Sequence, residues 1–182
     1  GHVSYDGRNF TALSRRDRKE IRQEIGMLFQ GAALFDSMTV QENVSFPLKM
    51  FSGMTDAEID RRASECLERV ELADAGSRFP AECSGGMQKR VGIARAIAMN
   101  PKYLFCDEPN SGLDPQTAIV IDQLIMEITR EYNMTTVVIS HDMNSVMEAS
   151  DTIHFVHEGR ILWRGDRGGL LAGGVPELED FV

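Results

Sequence analysis

The 182 residues carry 28 acidic against 19 basic side chains, for a formal net charge of −9, and 42% of them are hydrophobic. That length allows one domain with a real core, while no run approaches the roughly 18 apolar residues of a membrane helix and the start, Gly1-His2-Val3-Ser4-Tyr5, lacks the basic-then-apolar order of a signal peptide. The acidic balance argues against a nucleic-acid partner, because that binding rests on many Lys and Arg contacts to phosphate, so the chain is expected to be soluble, with any membrane connection made through a partner.

In chain order, Gly1 to Phe10 reads as two short extended stretches around a turn at Asp6-Gly7. Ser14 to Glu24 is polar and helix-like, and Ile25 to Phe29 is a short apolar strand ending at Gln30. Thr39-Val40-Gln41-Glu42 and Thr55-Asp56-Ala57-Glu58 both fit a capping box. After the second box Ile59, Ala63, Cys66, Leu67 and Val70 recur at helical spacing. A further helix is predicted from Ser84, with Met87, Val91 and Ala94 on one face, ended by Asn100-Pro101. Tyr103 to Asp107 is a continuous apolar run that predicts a strand buried on both faces, followed by a helix from about Gln116, a second buried strand at Thr135–Ser140 and a helix from Asp142 to Ala149. Ile153–Val156 and Ile161–Trp163 flank Glu158-Gly159 as a hairpin. Alternating strands and helices in the second half imply an α/β fold with a largely parallel sheet, and the helical middle, about residues 36–98, reads as a subdomain inserted into it. Cys66, Cys83 and Cys106 are odd in number and lack metal-site spacing; free thiols agree with a reducing cytosol. His2, His154 and His157 have no special context.

Four constellations carry chemistry. Gln30 at a strand end has an amide able to reach a metal ion or a water, although alone it would pass for a loop residue. Cys83-Ser84-Gly85-Gly86-Met87 opens a helix, where a Ser cap, two glycines and free N–H groups make an anion site; a plain glycine-rich turn would look the same. Asp107 and Glu108 follow the apolar run, at the end of a strand where open α/β sheets bind ligands. Strand alternation should send their side chains to different tasks: Asp107 to hold Mg²⁺, through water, and Glu108 to take a proton from an attacking water. His141 follows the next buried strand and is placed to hydrogen-bond a terminal phosphate.

Taken in this order, the residues resemble the ATP-binding subunits of ABC transporters, over nearly the whole chain. Ser84-Gly85-Gly86, with Met87, looks like the signature motif, Tyr103 to Glu108 like the Walker B strand with its catalytic glutamate, Ser111-Gly112-Leu113-Asp114 like the D-loop, Gln30 like the Q-loop glutamine and His141 like the switch histidine. The resemblance implies a P-loop NTPase fold with a mostly parallel core sheet and an inserted helical subdomain, the whole chain being a single such domain, truncated at its N-terminus. It implies ATP and Mg²⁺ as cofactors, with Gln30 and Asp107 at the metal, Asp114 near nucleotide, and Ser84, Gly85, Gly86 and Met87 binding the nucleotide of a second ATPase subunit in a homodimer. It further implies integral membrane permease subunits, a cytoplasmic place on the inner membrane, and no nucleic acid. The rivals are a soluble ABC ATPase not linked to transport and a non-hydrolysing regulatory subunit. Met27 to Val40, with Asn43-Val44 and Pro47-Leu48, is similar to the ATPase of bacterial phospholipid-trafficking (Mla-type) systems, which implies a phospholipid cargo. Two departures stand out: Cys83 replaces the leucine usual before Ser84, and the Walker A loop G-x-x-x-x-G-K-[ST] occurs nowhere. The expectation is a truncated chain, inactive on its own, that exposes apolar surface.

Overall fold

A computed structural model describes residues 1–171 and Leu178. The chain divides into two compact units, Gly1–Ile139 and Ser140–Val182.

The first unit opens with β1 (Ser4–Tyr5) and β2 (Arg8–Asn9), an antiparallel pair in which Tyr5 faces Arg8. Asp6 and Gly7 between them have φ of 47° and 76°, the left-handed values of a two-residue hairpin turn. Helix α1 (Arg15–Gln23) begins at Ser14, whose hydroxyl accepts from the Asp17 N–H, and leads into β3 (Ile25–Leu28). Helices α2 (Val40–Phe51) and α3 (Asp56–Arg69) both start at the expected capping boxes, Thr39 with Glu42 and Thr55 with Glu58. Then come α4 (Gly85–Ile97), β4 (Tyr103–Asp107), α5 (Pro115–Glu131) and β5 (Thr135–Ile139). The carbonyls at the end of α4 are answered from α3, where Arg62 donates to Ile97 O and Ala98 O at 3.1 Å each, a cation at the negative end of a helix.

Strands β3, β4 and β5 form a parallel sheet in that order, with Leu28 beside Cys106 and Asp107 beside Ile139. Their C-terminal ends therefore lie along one side, and the loops after β3 and β4 leave from it together. One face of the sheet joins the core: Leu28, Leu104 and Cys106 are fully buried with Val40, Val44, Ile93 and Ile97. Two glycines allow α4 to pack closely there. A Cβ on Gly26 would stand 2.5 Å from the Ala96 carbonyl oxygen, and one on Gly92 would stand 2.7 Å from Leu28 Cδ1.

The second unit contains α6 (Met143–Ala149), the antiparallel pair β6 (Ile153–His157) and β7 (Arg160–Gly165), and α7 (Arg167–Leu171). Glu158 and Gly159 turn the hairpin with φ of 47° and 74°. Among its described residues Ile153, Leu170 and Leu178 are the buried hydrophobic ones, with Trp163 packed against them. Among the described residues no helix is long and apolar enough to cross a membrane.

The structure corrects two expectations. Strand β4 is not buried on both faces but alternates, with Leu104 and Cys106 buried and Tyr103, Phe105 and Asp107 half-buried. Strand β5, read as buried, is largely exposed: Val137, Val138 and Ile139 keep 41–55% of their surface. An apolar run reports the potential for double burial; here β5 is one of the two edge strands of the sheet, and Met27, Val137 and Ile139 lie on a face left open. The expectation of exposed apolar surface agrees with this face. Helix α4 closes at Ile97 with Ala98 as its C-cap, and Asn100, with a φ of 50°, turns the chain out of it, in agreement with the stop expected at Asn100-Pro101.

Candidate functional site

The loop after β4 is held by its own backbone. Asp107 is the last residue of the strand. Glu108 lies outside it with φ of 46°, so the turn, not the alternation of a pleat, separates the two carboxylates. A left-handed L-residue costs about 1–2 kcal/mol, and hydrogen bonds on both sides of Glu108 offset it. Its N–H donates to Ile139 O at 2.9 Å, and its carbonyl accepts from Ser111 N and from Lys89 Nζ, each at 3.2 Å. Further on, Asn110 Nδ2 donates to both oxygens of Asp122 at 2.8 Å, a carboxylate only 5% exposed on α5.

Gln30 lies two residues beyond β3, and its side chain crosses to this loop, with Nε2 donating to Ser111 Oγ at 3.1 Å. That leaves Oε1 as the ligand atom of the amide. Lys89 on α4 donates both to the Gln30 carbonyl and to that of Glu108. Thus Gln30 and Glu108, the latter directly after Asp107 at the end of β4, belong to two loops tied side chain to side chain and through one shared cation. Burial pushes the Lys89 ammonium below its usual range, against the raising effect of Glu108 and Asp107.

The Ser84 helix start also belongs to this assembly. Ser84 caps α4 by accepting from Met87 N at 3.2 Å. The first N–H groups of the helix have no intrahelical partner. Gly85 faces the loop after the acid pair and Gly86 the first turn of α5: a Cβ on Gly85 would stand 3.5 Å from Leu113 Cδ2, and one on Gly86 would stand 2.8 Å from Thr117 Cγ2. Gly86 is therefore required by close approach. Asp114 caps α5, accepting from Gln116 N and Thr117 N at 3.1 and 3.0 Å and from the Thr117 hydroxyl at 2.5 Å, and that hydroxyl holds its carboxyl below the usual carboxylate range. Its carboxylate serves the helix cap.

His141 is exposed and belongs to the second unit. The first unit gathers Gln30, Ser84, Gly85, Gly86, Met87, Asp107, Glu108 and Asp114 around the ends of β3 and β4 and the starts of α4 and α5.

Lys89, Arg95 and Asn110 were not singled out from the sequence. Lys89 shares a stripe of α4 with Gly92, Ile93 and Ala96, and a lysine in an apolar stripe is the signal that could have found it. Arg95, pushed below its usual range by burial, donates to Ala32 O and Ala33 O at 2.5 and 2.8 Å. Those two residues have φ of 58° and 46°, so Arg95 holds a left-handed bend in the loop after Gln30. Asn43, fully buried, closes the next stretch: it accepts from Phe35 N at 2.8 Å and donates to Phe35 O, Met38 O and Thr39 O at 3.0–3.2 Å. The bend borders a groove of about 590 Å³ that includes Arg22, Phe29, Phe35, Phe46, Phe51 and Arg95. Phe35 and Phe46 pack with ring centroids 4.7 Å apart.

Among the described residues no group of three or more His, Cys, Asp or Glu could hold a metal alone. One carboxylate (Asp107) and one amide oxygen (Gln30) do fit Mg²⁺, which takes few protein ligands and fills its octahedron with water and substrate phosphate oxygens.

Comparison with known proteins supplies the remaining findings. The family model described as ABC transporter matches residues 1–111. The methionine import ATP-binding protein MetN 2 of Pseudomonas aeruginosa is 42% identical over 166 residues, covering 91% of this chain and 50% of that protein. MetN 1 of Pseudomonas fluorescens is 43% identical over 165 residues, covering 91% and 49%. The chain thus spans about half the length of the curated relatives it matches. Among solved structures, the dimeric post-hydrolysis state of the ATP-binding cassette MJ0796 bound to ADP and Pi superposes with a TM-score of 0.81 at 34% identity, covering 92% of this chain and 73% of that one. CbiO1 from Clostridium perfringens, described as part of the ABC transporter complex cbiONQ, gives 0.84 at 30% identity, covering 93% and 67%.

Proposed function

Because the chain belongs to the ABC transporter family of ATP-binding domains, we propose that the complete protein binds and hydrolyses ATP to power a transporter. The observation that carries this reading is the bridge at the sheet end: the Gln30 amide reaches Ser111, and Lys89 holds the carbonyls of Gln30 and Glu108. Two loops that separate strands deliver are thereby fixed around one space.

Glu108 is the general base that polarises the attacking water. Asp107 and Gln30 Oε1 hold Mg²⁺, which when bound neutralises charge on the phosphates. His141 bonds the terminal phosphate. Ser84, Gly85, Gly86 and Met87 present hydroxyl and N–H groups to the γ-phosphate of a nucleotide held by a second copy, as a helix N-terminus does. The relative MJ0796, described as a dimeric bacterial ABC transporter cassette, supports pairing of two copies. Asp114 acts by shaping the loop beside Gly85 and Gly86, since its carboxylate caps α5. In this reading the groove beside Phe35 receives a permease segment, with the protein at the cytoplasmic face of the inner membrane. The net charge of −9 disfavours nucleic acid as a partner. The chain is one ABC ATPase domain, with residues 36–98 as its helical insertion.

The finer reading, a phospholipid cargo, rests only on the resemblance of Met27–Val40 and its neighbours; the names of the relatives above point instead to methionine. Stimulation of the reconstituted transporter by phospholipid or by methionine separates these.

The direct test of the proposed activity is Glu108→Gln in the full-length protein. Turnover should fall about 10²–10⁴-fold, the usual worth of a general base, with ATP still bound. Near-normal turnover would remove Glu108 from that role.

A further inference from the structure

We propose that Lys89 is a positioning residue for ATP hydrolysis, setting the backbone of Glu108 against that of Gln30 from the helix that Ser84 opens. The inference rests on the ATPase reading above and extends it to a residue that reading does not use.

Lys89 keeps only 5% of its surface. A lysine so enclosed needs partners for its charge. It finds two backbone carbonyls, those of Gln30 and Glu108, in addition to the nearby charges of Glu108 and Asp107. An ammonium group has three donors and no acceptor, so one side chain can satisfy carbonyls on two loops at once. The two carbonyls lie 59 and 19 residues from Lys89 along the chain.

The geometry explains why this bond bears on the reaction. Glu108 sits at φ of 46°, and the direction of its side chain follows from that peptide conformation. Ile139 O fixes the peptide before it, while Ser111 N and Lys89 Nζ fix the peptide after it. Removing the ammonium takes one hydrogen bond from the Glu108 carbonyl and one from the Gln30 carbonyl. A reacting group misplaced by about 1 Å loses on the order of 10²-fold in rate. Lys89 touches neither water nor phosphate in this account; it acts through Glu108 and Gln30.

The test uses the full-length protein in which wild-type ATP turnover has been demonstrated, so that failure of the ATPase reading shows first, as a silent wild type. Lys89→Met keeps the length and removes the donors. Its kcat should fall about 10- to 100-fold with the KM for ATP within about threefold and the melting temperature close to wild type. Lys89→Gln, able to reach one carbonyl, should lie between, about three- to tenfold below wild type. In a Glu108→Gln background, Lys89→Met should add less than about a twofold further loss, because the two act as a unit. Lys89→Met with kcat within twofold of wild type overturns the proposal, as does an equal loss in both backgrounds. Should Lys89→Met not fold, Lys89→Gln decides: reduced kcat at unchanged KM and melting supports positioning, and wild-type kcat assigns Lys89 to the core alone.

Discussion

The contact between α4 and β3 makes a quantitative prediction for Gly26→Ala. The added Cβ would stand 2.5 Å from the Ala96 carbonyl oxygen and 3.1 Å from Pro101 Cγ. The first of these is backbone, so no rotamer change relieves it. To restore an ordinary non-bonded distance, α4 must withdraw from β3 by roughly 0.7–1 Å. Overpacking of this kind costs about 1–3 kcal/mol, and replacing glycine in a strand returns about 0.5–1 kcal/mol. The net destabilisation is up to about 2.5 kcal/mol, which for a domain of this size lowers the melting temperature by up to about 10 °C. The same withdrawal draws Lys89 away from the Gln30 and Glu108 carbonyls, so turnover should fall on the order of 10- to 100-fold. Gly31→Ala is the control: nothing lies within 4 Å of its added Cβ, and its φ is not left-handed. Thermal melts and steady-state ATP turnover of the two full-length variants check the reasoning. If Gly26→Ala melts and turns over like Gly31→Ala, close packing of α4 on β3 does not position the site.

Asn43→Ala strips four hydrogen bonds from the Phe35–Thr39 stretch; the Phe35 and Thr39 carbonyls keep backbone donors, while the half-buried Phe35 N–H and Met38 carbonyl lose the Asn43 side chain, at about 1–3 kcal/mol. A urea titration should show this loss, and co-purification with the permease proposed above should weaken; unchanged midpoint and retention would contradict it. Backbone N–H groups of Thr39 and Thr55 hold the carboxyls of Glu42 and Glu58 below their usual range. Stability from these boxes is therefore fully present above the unfolded value of about 4.3 and is lost as pH falls through the depressed folded values. Glu42→Gln combined with Glu58→Gln keeps an acceptor oxygen and removes the titration. Melting of that variant should fall less steeply than wild type below about pH 4, and parallel curves would refute the assignment.

Local signals made much of this legible in the sequence. Thr39 and Thr55 begin helices because a hydroxyl and a carboxylate three residues apart satisfy N–H groups reciprocally, whatever the tertiary context. Asp6-Gly7 and Glu158-Gly159 turn hairpins because the second residue accepts a left-handed φ freely. Burial was less legible, since Val137, Val138 and Ile139 are apolar whether or not a layer covers them. At the site, the residues that belong to motifs could be named, but what holds them could not. Lys89 binds backbone carbonyls 59 and 19 residues away, and a carbonyl has no sequence identity. Asp114 could be placed in its loop, but that its carboxylate caps α5 follows from Thr117 three residues on. Pro115 at the first helical position was the overlooked cue.

The most direct measurement is a crystal structure of the full-length protein with Mg²⁺ and a non-hydrolysable ATP analogue. The account predicts the ion about 2.0–2.1 Å from Gln30 Oε1, with Asp107 reached directly or through one of its waters, and the Glu108 carboxylate facing the water in line with the γ-phosphate. A metal and γ-phosphate bound elsewhere, with Gln30, Asp107 and Glu108 touching neither, would contradict it.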